Sequence, residues 1–376
     1  MKLCPGCNEE KPLGHFNSSS KAPDGKAARC RACVNRRRRA VTRKARTKPR
    51  APLSAQAAAK RGDIASLRAA VERDEPPDLT RLLGTALAWA TVTKASRFGD
   101  VATYLIDLGA DPGARGAIGM PMLCLAARSG VAPLVELLHE RGAPGTFYTA
   151  VALGDVDAVR RELSARPDAA NAPDENGMTA PLYCAQSALG RSDEALEARL
   201  AGIGGLLIDC GADAEAAPES YLRPLSVAAG HSGNLPLVEL LLDRAANPPD
   251  EGPLYEALRT MRRQSDRYSR ICDLLLRHGE YDLDAVLLGN ARHEDVQATT
   301  WLLDRGADPS LRVEDGRTTL HLAADRNSGI RVIRLLLDHG ADIDARDDLG
   351  HTPLYYARQS EKRAIVAFLL SRGAAE

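Results

Sequence analysis

The residues best suited to chemistry stand at the start of this 376-residue chain. Cys4-Pro5-Gly6-Cys7 and Cys30-Arg31-Ala32-Cys33 are two Cys-x-x-Cys pairs with twenty-two residues between them. Two such pairs can close four thiolates around one tetrahedral ion at about 2.3 Å, the preference of Zn²⁺. The folding energetics of the stretch point the same way. Ordering a backbone costs roughly 1–2 kcal/mol per residue, and the only sizeable apolar side chains here are Leu3, Leu13, Phe16 and Val34. Chains this short usually need a metal or disulfides to fold, and a structural zinc supplies roughly 10–16 kcal/mol. Cys4, Cys7, Cys30 and Cys33 are therefore the expected ligands of one structural Zn²⁺. Incidental thiols or a disulfide pair is the alternative. A redox Cys-x-x-Cys fits less well, because there are two pairs and no thioredoxin-like pattern around them. Asp24-Gly25, between the pairs, is a hairpin-turn signal.

A second candidate follows directly. From Arg29 to Arg50 there are eleven Lys and Arg and no acid. Arg36, Arg37, Arg38, Arg39, Arg43, Lys44 and Arg46 are the candidate phosphate-binding side chains of such an arm. A solvated linker is the plainer reading, and a four-arginine cluster also suits a targeting signal in a eukaryote. No aromatic residues are interleaved, so base stacking is not suggested. The formal net charge of zero hides this asymmetry. Residues 1–50 carry fifteen bases against three acids, and the remainder thirty-five against forty-seven, so the halves stand at +12 and −12. A basic arm with its own partner beside an acidic body is the expectation.

The elements that follow are repetitive. Gly-Ala-Asp occurs at Gly306 and again at Gly340, thirty-four residues later. Between them runs Thr318-Thr319-Leu320-His321-Leu322-Ala323-Ala324, then Ile330 to Leu337, and the box returns as His351-Thr352-Pro353-Leu354. A fixed period in the low thirties marks a stacked repeat. Thr318 or Thr352 suits a helix N-cap, with Pro353 in the first turn. Val332, Ile333, Leu335, Leu336 and Leu337 form an apolar stripe that a short helix pair cannot bury alone, and Gly340 ends the helix. This stretch resembles the ankyrin repeat: the T-P-L-H-x-A box, the leucine-rich second helix and the Gly-Ala-Asp exit are all present. The resemblance implies an all-α solenoid of about ten helix-turn-helix units over residues 51–376, and non-catalytic protein–protein interaction through its concave face.

Further exits stand at Gly109, Gly142 and Gly211, and further boxes at Met122–Ala127, Ala180–Ala185 and Pro224–Ala229. Gly-Asp before an apolar helix, at Gly62, Gly99 and Gly154, reads as the inter-helix loop. Units near 143–170, 250–280 and 280–305 lack the box and rest on helix spacing. Insertions near Gly190–Ala201, in unit four, and Arg262–Arg270, in unit six, map to loops on one face and mark candidate contact sites. His321 reads as structural, and Cys124, Cys184, Cys210 and Cys272 as small core residues. His278 and His339 precede a helix-ending glycine, where a cation suits the helix dipole. Asp174, Glu175, Asp315, Asp347 and Asp348 fall in the projecting turns, as caps or as a site for a basic partner.

Residues 1–35 also resemble a small Cys4 module found at the start of some phage and bacterial HNH-type nucleases and other DNA-associated proteins. The shared features are the two cysteine pairs, Lys11-Pro12-Leu13, Phe16 and Asp24-Gly25. The clustered His and Asn of an HNH site do not follow, so nuclease activity is not implied. No phosphate-loop, serine-hydrolase or zinc-protease motif occurs either. The expected arrangement is a zinc module at 1–35, a basic linker at 36–50 and repeats at 51–376. The protein is expected to be a cytoplasmic, non-enzymatic monomer without a membrane span. Its partner is a protein, with DNA or RNA at residues 29–50 as the alternative.

Overall fold

Leucine stripes on short helices set the architecture, and a left-handed glycine followed by a small residue sets where each helix stops. The computed structural model describes residues 2–4, 9–11, 16–18, 26–30, 52–73, 77–116, 119–219, 221–244, 252–262, 265–290, 295–326 and 329–375. The chain divides into two compact units, Met1–Leu53 and Ser54–Glu376.

In the first unit β1 (Lys2–Cys4) pairs antiparallel with β2 (Glu9–Lys11), with Cys4 opposite Glu9. β3 (Phe16–Ser18) pairs antiparallel with β4 (Lys26–Cys30), with Phe16 opposite Cys30. This second pairing brackets Asp24-Gly25, which lies outside the described residues. β1 also touches β4.

The second unit holds twenty α-helices among its described residues, and they fall into ten pairs. The first four pairs are α1 (Ala55–Arg61) with α2 (Ile64–Arg73), α3 (Leu79–Trp89) with α4 (Ala95–Asp107), α5 (Met122–Ser129) with α6 (Ala132–Glu140), and α7 (Phe147–Leu153) with α8 (Val156–Ala165). The fifth to seventh are α9 (Ala180–Gln186) with α10 (Glu194–Asp209), α11 (Pro224–Val227) with α12 (Leu235–Arg244), and α13 (Gly252–Met261) with α14 (Ser265–His278). The last three are α15 (Leu283–Asn290) with α16 (Val296–Asp304), α17 (Thr319–Arg326) with α18 (Ile330–Asp338), and α19 (Pro353–Gln359) with α20 (Arg363–Ser371). The stretches read from helix spacing alone thus hold the fourth, seventh and eighth pairs.

In α18, Val332, Ile333 and Leu336 are buried and Arg331 is exposed, the two faces expected of a helix that packs on one side. Gly340 follows at φ 93°, and the Ala341 N–H donates back to Leu336 O at 2.9 Å. That six-to-one bond closes the helix end. It explains the recurring Gly-Ala: glycine takes the left-handed turn, and a small buried residue supplies the closing N–H. The same bond joins Ala110 to Leu105, Ala143 to Leu138, Ala212 to Leu207 and Ala307 to Leu302.

Successive pairs stack first helix on first helix and second on second along most of the unit. The regularity slips between the seventh and eighth pairs, where α13 packs on α16. Three expectations need correction. Gly99-Asp100 does not form an inter-helix loop but lies inside α4. The turn of that pair is made earlier, at Ala90 and the 3₁₀ turn Val92–Lys94, and Gly99 is simply carried within the helix. The insertions near Gly190–Ala201 and Arg262–Arg270 fall in the fifth and seventh pairs, not the fourth and sixth. Cys210 is exposed at the end of α10, whereas Cys124, Cys184 and Cys272 are buried as expected. Burial pushes the Cys184 thiol up to about 12 and the other two higher, so all three stay protonated. No helix among the described residues is long and apolar enough to cross a membrane.

Candidate functional site: the first-helix face of pairs three to seven

α9 carries the most irregular part of the stack. Thr179 precedes it, Pro181 sits in its first turn, and after Gln186 the chain leaves the helix, with Ser187 extended. The next residues do not turn into a second helix at once. Ala188 N–H donates to Ala127 O at 3.0 Å, so the inserted segment reaches past the fourth pair to the end of α5. The 3₁₀ turn Leu189–Ser192 and the sixteen-residue α10 follow. Gly190 is needed there: a Cβ on it would lie 2.8 Å from Glu197 Cα.

The sixth pair bends toward the same place. α11 has one turn and then widens into a π turn over Ala228–Ser232, closed by Gly233 at φ 65°. The widened turn places His231 Nε2 3.0 Å from Arg128 O at the end of α5. Burial, together with the Arg128 and Arg191 charges, lowers the His231 imidazole to about 3, so it is neutral at ordinary pH. As a neutral ring it donates through Nε2 to that carbonyl.

A lock from the seventh pair holds this distortion. Arg267 Nη1 lies 2.6 Å from Glu197 Oε1 and 2.8 Å from Gly233 O. Glu197 is buried and also accepts from Leu235 N–H at 3.1 Å. Arg191 donates to Ser232 O at 3.2 Å and to His231 O. The two insertions therefore meet each other. They were expected as surface loops, and the structure uses them to pin the π turn.

Between these elements lies a cavity of about 270 Å³. Gln186 lines it and is 1% exposed, yet neither Nε2 nor Oε1 has a hydrogen-bond partner in the protein. Arg128 Nε, also buried, has none either. From α13, Arg259 pairs with Glu256 at 2.5 Å on the rim. Tyr221 and the exposed Leu222, from the loop before α11, complete the mouth. Sequence reasoning did not single out Gln186, Arg128 or His231. The available signal was the box Ala180–Ala185 running straight into an insertion.

In the projecting turns, Asp174 and Asp347 take the capping role of the two expected. Asp174 does not face solvent: its side chain is buried and accepts from Arg115 at 2.9 Å, the Tyr183 hydroxyl at 2.8 Å, and the N–H groups of Asn176 and Met178 at 2.8 and 2.9 Å. Burial alone would raise its carboxyl; these hydrogen bonds outweigh it and hold the group below the usual range. Asp347 repeats the arrangement with Tyr356 at 2.6 Å and the N–H groups of Leu349 and His351 at 3.0 and 2.7 Å. Neither acid is available to a basic partner. Asp315 pairs with Arg317, and Glu175 is exposed. His321 is structural: Nδ1 accepts from Thr318 N–H at 3.0 Å and Nε2 lies 3.1 Å from His351 O in the next unit. Thr352 caps α19 by accepting from Tyr355 N–H, and His339 Nδ1 lies 2.9 Å from Leu335 O at the end of α18.

Of the expected zinc ligands, Cys4 is buried at the end of β1 and Cys30 ends β4. Cys7 and Cys33 lie outside the described residues, as do Arg36, Arg37, Arg38, Arg39, Arg43, Lys44 and Arg46.

Comparison with known proteins agrees with the repeat geometry. The model of the family "Ankyrin repeats (3 copies)" matches residues 287–375. No curated protein matches the chain. Among solved structures the chain is similar to the ankyrin repeat domain of Bcl-3, described as a unique member of the IkappaB protein family. The identity is 21%, with 60% of this chain and 98% of that chain covered and a TM-score of 0.46. Residues 287–375 match ankyrin repeats, and the described residues of 54–376 form stacked helix pairs throughout.

Proposed function

We propose that this protein is an interaction scaffold that holds a protein partner on the first-helix face of its repeats. The distribution of exposed apolar side chains carries the reading. Seven large ones are exposed among the described residues of 54–376. Trp89 and Tyr355 lie on first helices, and Leu222 and Leu349 in the loops that lead into first helices; Val92 lies in a turn between the two helices of its pair, Leu370 on a second helix and Leu108 just after one. Leu349, at a turn tip, is 77% exposed, and Tyr355 stacks on His351 at 3.8 Å. Exposed apolar groups gathered on one side mark interaction surfaces.

Cross-linking in the native cell tests this. Charge replacement at Leu222 and Tyr355 is expected to abolish the captured partner, while the same change at Leu108 and Leu370 leaves it. The reverse pattern overturns the reading.

In the same proposal Cys4, Cys7, Cys30 and Cys33 hold one structural Zn²⁺. Supporting it, the first cysteine of each pair ends a strand, and the two strands concerned touch. Metal analysis is expected to find one zinc per chain, lost on Cys4→Ser; a native chain without zinc refutes it. The charge asymmetry favours a second reading, in which residues 29–50 bind DNA or RNA while the repeats recruit a partner. If roughly 5–7 side chains meet phosphates, log K falls against log salt with a slope of about −5 to −6. Absence of binding at low salt removes that reading.

A further inference from the structure

We propose that the cavity between α5, α9, α11 and α13 receives the carboxylate side chain of an acidic residue that neighbours an apolar residue in the protein partner. The inference rests on the interaction reading above and names the chemistry it recognises. Two donors line or border the cavity without a partner in the protein, Gln186 Nε2 and Arg128 Nε, both buried. A buried donor left unmade is costly, so its retention points to a partner acceptor.

The charge balance selects the acceptor. Arg259 is offset by Glu256, His231 is neutral, and Arg128 remains, so the lining is net positive inside a unit whose residues 51–376 stand at −12. A carboxylate gains charge-assisted bonds from Arg128 and accepts from Gln186. Gln186 Oε1 is left to take the N–H of the partner's main chain. Tyr221 and Leu222 at the mouth offer an apolar seat for the neighbouring residue. A partner lysine or arginine would meet two guanidinium groups, and a wholly apolar side chain would leave Gln186 unpaired.

The experiment uses the full chain and a displayed library of random twelve-residue peptides, followed by synthetic versions of the selected peptide with Glu, Gln or Ala at the anchor. The Glu peptide is expected to bind at least tenfold more tightly than the other two. Gln186→Leu and Arg128→Met are each expected to remove tenfold or more of that affinity. Gln186→Leu should do so without lowering Tm, because it replaces unpaired polar atoms with apolar ones. A Gln peptide that binds as well as the Glu peptide overturns the proposal. So do selected peptides that tolerate both substitutions but are lost on Leu222→Asp; that result keeps the interaction reading and removes this one. A library that yields no binder counts against both.

Discussion

α9 and α19 begin as the same structure. Each is a seven-residue helix with threonine at its N-cap, a proline in the first turn and glutamine as its last residue. Each follows a turn in which a buried aspartate accepts from a tyrosine nine residues on, and a glycine stands at φ 77° in one and 78° in the other. They part after the glutamine. Beyond Gln359 the chain turns at Ser360 and Glu361 and enters α20, and Gln359 is exposed. Beyond Gln186 the inserted segment crosses toward α5, and Gln186 is buried in the wall of the cavity beside the π turn. One repeat frame can thus be a plain spacer or the wall of a cavity, depending on whether its two helices are joined by three residues or by seven. Site and scaffold are specified by different residues in the same unit.

The largest effect that separates them should come from the plain region. Leu336→Ala, at a wholly buried position of α18, is expected to cost about 2–5 kcal/mol, read by urea unfolding, and to leave peptide binding in the α9 cavity unchanged. Loss of that binding would mean the two regions are not independent.

Arg267→Ala tests the other side. It strands Glu197 and frees Gly233. Losing one partner of a buried pair costs about 3–5 kcal/mol, and partial exposure of Arg267 places the expectation at the low end. Binding should fall with stability here, because the π turn loses its support. Arg267→Lys lacks the second nitrogen, which donates to Arg191 O at 3.3 Å, so it should recover only part of the loss.

The pH dependence comes next. His231 is held near 3 in the fold against about 6.5 unfolded. The unfolded chain therefore takes up the proton first, so stability is full above about pH 6.5 and falls as pH drops, with a limiting slope near 1.4 kcal/mol per pH unit. His321, lowered by burial despite its bond to His351, adds to the same window. His231→Gln is expected to remove one proton's share of the slope and His321→Gln to act alike. A slope unchanged in either variant contradicts the assignment. Asp174 and Asp347 act lower: their depressed carboxyls contribute above about pH 3.9, and that contribution is lost as pH falls through their folded values.

The smallest effect should be the same in both places. Tyr183→Phe and Tyr356→Phe each remove one hydroxyl from a buried aspartate, and each is expected to cost about 1–2 kcal/mol. A large difference between them would show that the shared turn is not energetically shared.

What could be read from sequence divides along the same line. The period, the Gly-Ala exits and the leucine stripes are local patterns, and they place ten pairs because each pair's geometry depends on residues close in the chain. His321 was readable because its partner Thr318 lies three residues away. Gln186 was not, since its burial depends on Ala188 meeting Ala127 and on the π turn at Ala228–Ser232. The Arg267–Glu197 pair spans seventy residues, and nothing in either neighbourhood announces the other. Asp174 and Asp347 were readable only as turn caps or a partner site, because a turn aspartate reads alike whether it faces water or accepts the four bonds of Asp174 and the three of Asp347. Gly99-Asp100 misled because the same dipeptide serves as a loop in one pair and as helix interior in another.

The Arg267–Glu197 lock and the His231–Arg128 bond have one more consequence, for how the repeats melt. A solenoid normally behaves as a one-dimensional chain in which each link senses only the next. Here the seventh pair grips the fifth, and the sixth reaches the third. Those skipped-neighbour ties fuse pairs three to seven into a single cooperative block, so that splicing out one repeat there should unravel the rest of the block. Between α17 and α20 the ordinary rule holds, and a repeat inserted or excised should change the length of the stack and little else.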